Sequence, residues 1–132
     1  MPGPIHVKDS LAPIELPARL LHELYNHAVE TSDEECCGLI LGDATQRYQQ
    51  LVRCLNEMTA LHQRDPATYP LDGRAAFYMR PHDYLKALKE AEAAGLSVTA
   101  VYHSHVGADA YLSEMDLEYA RQPLFPFDNN PV

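Results

Sequence analysis

The chain has 132 residues, 46% hydrophobic and 22% charged, the balance of one globular domain with room for a single core. Its formal charge of −9 repels phosphate backbones and argues against nucleic acid as a partner. No apolar run approaches the roughly 18 residues of a membrane helix, which argues against a membrane partner, and MPGPIHVKDS lacks the basic start and apolar stretch of a secretory signal. Three cysteines, two of them adjacent, make no disulfide framework; with no signal present, they point to the cytoplasm.

Residues 1–13, with Pro2, Gly3, Pro4 and Pro13, read as an extended arm. Ile14-Glu15-Leu16 alternates like a short strand. Pro17 then suits the first turn of a helix reaching Glu30, with Leu20, Leu21, Leu24, Tyr25, Ala28 and Val29 as its apolar stripe. Thr31-Ser32-Asp33 breaks it. The run Cys36-Cys37-Gly38-Leu39-Ile40-Leu41-Gly42 is a buried strand, and Gln46 to Leu55 pairs with it through a turn at Asp43-Ala44-Thr45. Asn56 to Gly73 has no period and carries Pro66 and Pro70, so it reads as a long loop bordering a site. Ala75 to Met79 reads as strand. Pro81 opens a second helix with Tyr84, Leu85, Leu88 and Ala91 on one face and Gly95 as its stop. Leu96 to Tyr102 is a central strand, Ser113 to Ala120 a short helix, and residues 121–132 an irregular tail. Helices alternating with short strands give an α/β sandwich with a mixed sheet.

His103-Ser104-His105 follows a buried strand directly. In an extended chain residues i and i+2 face the same way, so both imidazoles can converge on one borderline metal such as zinc. Asp116 is the candidate third ligand. Three protein ligands leave a fourth position for water, and hydrolysis then needs a general base. Glu35, at the mouth of the buried strand, is the candidate, although for a charged pair before a strand Glu34 and Glu35 read more readily as solvated acids at a turn. Ser113-x-x-Asp116 also resembles a capping box, with a purely structural role. Cys36 and Cys37 cannot grip one ion, because adjacent side chains on a strand point to opposite faces; they read as buried thiols.

Two separated segments together resemble one family. Glu35-Cys36-Cys37-Gly38-Leu39-Ile40-Leu41-Gly42 is similar to the E-x-C-G-L-L-x-G segment of JAMM (MPN+) metalloproteases. His103-Ser104-His105, seven residues, Ser113, two residues and Asp116 match the family's H-S-H-x7-S-x2-D motif. The likeness spans about residues 14–120. It departs at Val106, where the family often has proline. The family usually continues past a segment like FPFDNNPV into a further strand; an edge left open there invites a partner strand or self-association.

The resemblance implies a single domain over 1–132 with an α/β fold of MPN-like (cytidine-deaminase-like) type: a mixed sheet sandwiched by helices, lacking its last strand or strands. It implies Zn²⁺ held by His103, His105 and Asp116. Glu35 would serve as base to the attacking water and acid to the leaving amine, and Ser113 as donor to the oxyanion. The implied substrate is a peptide or isopeptide bond after the C-terminal glycines of a ubiquitin-like, sulfur-carrier-type protein. Two His and one carboxylate also fit a facial triad for Fe(II) and oxygen. A non-catalytic binding or scaffold module is the third possibility, although scaffold members typically lack the ligand set that this sequence carries in full.

Overall fold

The computed structural model describes residues 15–108 and 113–116. The arm, Ile14, the 117–120 part of the last expected helix and the 121–132 tail lie outside them. Glu15 and Leu16 form no regular element. Helix α1 runs over Ala18–Glu30 with Pro17 as its N-cap. Leu20, Leu24 and Ala28 pack toward the sheet, whereas Tyr25 and Val29 are 60% and 74% exposed. The apolar stripe read from the sequence therefore divides into two rows. Leu21, Tyr25 and Val29 lie about 100° around the helix from the buried row and miss the sheet. The freed place on the buried face goes to His27, whose Nδ1 lies 2.7 Å from the Tyr102 hydroxyl.

Strand β1, Cys37–Gly42, is buried along its whole length and, among the described residues, lies in the middle of three strands of order β2-β1-β3. Strand β2 covers Gln50–Cys54, shorter than the Gln46–Leu55 expectation. The Asp43 carboxylate accepts the Thr45 and Gln46 N–H groups and prolongs the turn. Strand β3, Ser97–His103, is an outer strand among the described residues and not the expected central one. Every strand pair among the described residues is antiparallel, so the parallel pairing that a mixed sheet needs is not among them.

Helix α2, Met58–Arg64, occupies part of the expected loop. Its seven residues bury only Met58, so they carry no amphipathic stripe to read. Ala75–Met79 contributes a single bridge, Asn56 to Met79, in place of a strand. Helix α3, Pro81–Ala93, packs Tyr84, Ala87 and Ala91 inward, while Leu85 and Leu88 are exposed. Gly95, at φ 71°, ends it as expected.

The two sheet faces hold two apolar clusters. Leu39, Leu41, Cys37, Phe77 and Val101 pack with α3 on one side; Ile40, Cys36, Ala100 and Tyr102 pack with α1 on the other. The sheet thus lies between helices. Cys36 and Cys37 go to opposite faces, as strand geometry requires. Burial pushes both thiols up, as well as that of Cys54. Gly38 lies against the Tyr102 ring and the Val52 carbonyl, where a Cβ would collide with both.

Candidate metal centre

The antiparallel register of β1 and β3 builds the site. Cys37 pairs with His103, which brings the start of β1 beside the end of β3. Pairing continues one residue further: the Ser104 N–H donates to the Cys36 carbonyl at 3.0 Å, and the Cys36 N–H donates to Ser104 Oγ at 2.8 Å. Glu35 and His105, the next residues along each chain, come close enough for their ligand atoms to meet. With a two-residue period, Ser104 turns to clamp the Cys36 backbone while His103 and His105 share a face. Their Nε2 atoms lie 3.2 Å apart. Asp116 arrives from the 113–116 segment, its Oδ2 at 3.1 Å from His103 Nε2 and 3.5 Å from His105 Nε2. Glu35 completes the group: one ligand atom from each of the four residues lies within 4.8 Å of the others.

These donors fit a small divalent cation. Two imidazole nitrogens and a carboxylate oxygen face each other at 3.1 to 3.5 Å. Ligands about 2.0–2.1 Å from a tetrahedral ion are about 3.3 Å apart. Glu35 Oε1 is buried with no hydrogen-bond partner, which is costly in a folded chain without a proton, a water or a cation to meet it. Glu35 and Asp116 are only 5% and 7% exposed. Burial away from water, and then the neighbouring Asp116 charge, push Glu35 up to about 8. Burial raises Asp116 too, but the His103 imidazole and the Ser113 hydrogen bonds outweigh it and hold the carboxyl down at about 2. Two adjacent carboxyls thus have their affinities for protons driven apart, one toward proton transfer and one toward permanent charge.

The capping box forms, and it leaves the Asp116 carboxylate beside the two imidazoles. The Ser113 N–H donates to Asp116 Oδ2 at 2.9 Å, and the Asp116 N–H donates to Ser113 Oγ at 3.1 Å. A carboxylate oxygen has two lone pairs, so Oδ2 serves the cap and still faces the imidazoles. The cap fixes the carboxylate's direction. Ser113 Oγ accepts the Asp116 N–H, and its side chain also helps hold the Asp116 carboxyl charged.

Residues 17–129 match the family of prokaryotic homologues of the JAB domain. The chain belongs to that family. It is 26% identical over 117 residues to a CysO-cysteine peptidase of Mycobacterium tuberculosis, covering 88% of this chain and 71% of that protein. It is 28% identical over 118 residues to a desampylase of Pyrococcus furiosus, covering 89% and 74%. A solution structure of a Desulfitobacterium hafniense protein has the same fold, at a TM-score of 0.61 and 24% identity, over 82% of this chain and 67% of that one.

In this JAB-domain chain the surroundings of the site hold residues that sequence reasoning missed. Asn56 is the largest omission. Its Nδ2 lies 3.0 Å from the Glu35 carbonyl, 3.4 Å from that of Gly73 and 3.1 Å from that of Ala76. Its Oδ1 accepts the Met58 and Tyr78 N–H groups, each at 2.9 Å. One side chain takes the backbone groups that a ladder would have used, which is why Ala75–Met79 is not a strand. No sequence signal marked it, since its partners are distant backbone atoms. Phe77 stacks on the His103 ring at 4.7 Å, 20° from parallel. The alternation that paired His103 with His105 also pointed Ser104 to the opposite face, and that signal was readable.

Proposed function

We propose that this protein is a zinc-dependent hydrolase that cleaves a peptide or isopeptide bond at the C-terminus of a ubiquitin-like, sulfur-carrier-type protein. The observation that carries the proposal is the buried Glu35 carboxyl, one oxygen unpartnered, beside three convergent donor atoms. Family membership and two relatives named for peptidase and desampylase activity support the same chemistry.

His103, His105 and Asp116 would hold the ion. Zinc bound there supplies Lewis-acid chemistry that makes water acidic and polarises the scissile carbonyl. Glu35, held near neutrality, takes the proton of the attacking water and returns it to the leaving amine. Ser113 Oγ–H donates to the carbonyl oxygen as its negative charge develops. Among the described residues Glu35 lines the same groove as His105, Ser113 and Asp116, so substrate can reach it.

The test is intact-mass analysis of metal-loaded protein incubated with carrier proteins that bear C-terminal extensions. Cleavage after the terminal glycines is expected. Glu35→Gln should keep one metal per chain and lose about 100-fold or more in rate, the usual worth of a positioned general base. His103→Ala should lower zinc occupancy. A Glu35→Gln protein as fast as its parent ends the base assignment, and iron in place of zinc after metal-free purification turns the site into an oxygenase candidate.

A further inference from the structure

A groove of about 550 Å³ opens beside the centre. Its walls carry four acids, Glu35, Asp72, Glu114 and Asp116, and a single Lys or Arg among the described residues, Arg74. Arg74 is exposed, and its guanidinium makes no ion pair or hydrogen bond with a described residue. In a chain of formal charge −9, this places a cation unpaired among the described residues at the edge of a pocket whose other charged walls are acids.

The turn that carries Arg74 is tied to Glu35. The Glu35 N–H donates to the Gly73 carbonyl at 2.7 Å, and the Arg74 N–H donates to Asp72 Oδ1 at 3.0 Å. The Asp72 carbonyl accepts the Ala75 and Ala76 N–H groups at 3.1 and 3.0 Å. The base of the Arg74 side chain is therefore fixed relative to the carboxyl that would protonate the departing amine. When an amide bond to a C-terminal amino acid breaks, the amine that leaves carries a carboxylate two covalent bonds from its nitrogen. A lysine side chain leaving an isopeptide carries none. A guanidinium fork matches a carboxylate in both geometry and charge.

We propose that Arg74 is a specificity residue that binds the free α-carboxylate of the departing amine, so that this centre favours releasing a C-terminal amino acid over opening a lysine-linked conjugate. The proposal rests on the hydrolase function above. The reaction is plain hydrolysis: the C–N bond breaks, the water oxygen bonds to the carbonyl carbon, and the amine takes the proton. No further reactant is needed.

The probe is an acetylated peptide ending Gly-Gly-Ala, prepared as the free acid and as the carboxamide. Alanine brings no thiol to compete for metal. Binding is measured on the full-length zinc-loaded Glu35→Gln protein, and kcat/KM on the parent. The acid is expected to be favoured by about tenfold in both, a typical worth for one charge-assisted pair. Arg74→Ala should bring the acid-to-amide ratio close to one, and Arg74→Lys should keep part of it. An unchanged ratio in Arg74→Ala overturns the assignment. An equal loss for both peptides overturns it as well, since Arg74 would then be reading the carrier. If the parent hydrolyses neither peptide in the presence of zinc and leaves carrier fusions intact, the hydrolase function itself falls.

Discussion

Glu35 holds its proton in the folded chain up to about pH 8, against an ordinary value of 4.5. A native state that binds a proton more tightly than the unfolded chain is favoured at low pH. Its contribution is fully present below 4.5 and is lost as pH rises through 8. Asp116 runs the other way: held at about 2 against 3.8, it contributes stability above 3.8 that disappears as pH falls through 2. His27 adds a third effect, since burial lowers its pKa and rising pH then favours the fold around 6.5. The useful quantity is the difference between the metal-free chain and metal-free Glu35→Gln, in which only Glu35 changes. The variant's advantage in Tm should widen between about pH 5 and 8. A gap that stays constant across that range would show a carboxyl ionising as if in water.

Among the elements, the turns around Asn56 help hold Glu35 in place, through its carbonyl and its N–H. Asn56→Ala removes a partner from three carbonyls, of which that of Gly73 keeps the Glu35 N–H, and from two N–H groups. Several of these are buried, so the expected cost is on the order of 3 kcal/mol in urea unfolding. Asn56→Asp keeps both acceptor bonds and should be the milder change if pH is low enough to protonate it. A loss below about 0.5 kcal/mol for the alanine variant would mean that water replaces the whole hub. The strand elements explain why the centre forms at all. The β1–β3 register sets Cys37 against His103, and the Cys36–Ser104 bonds carry it on toward Glu35 and His105. A slip of one residue would turn both imidazoles to the α1 face.

For the whole molecule, a bound cation would join the end of β3 to the 113–116 segment, which meets it through Asp116. A ligand that binds only the folded state stabilises it by about 2.7 kcal/mol at 100 times its Kd. Zinc added to chelator-treated protein should therefore raise Tm, and the same zinc should leave His103→Ala nearly unmoved. Proton release on metal uptake at pH 7 is expected as well, because a cation beside Glu35 favours its charged form. A zinc response of equal size in both proteins would locate the metal elsewhere. Among the described residues no helix is long and apolar enough to cross a membrane.

Local chemistry was legible in the chain itself. The unbroken apolar run at Cys37–Gly42, the glycine that stops α3 and the two-residue alternation of His103 and His105 each report a short-range constraint that neighbours along the sequence impose. What they could not report was which apolar row of α1 meets the sheet, why β1 and not β3 is the middle one of the described strands, or that Asn56 would stand in for a strand. Those outcomes depend on partners far along the chain, where burial on one face and the satisfaction of distant backbone groups outweigh local preference. The same holds at the centre. The motif named Glu35 and Asp116, but their proximity, and with it the opposite displacement of their proton affinities, exists only once strand pairing and the Ser113 cap bring two acids to one buried place.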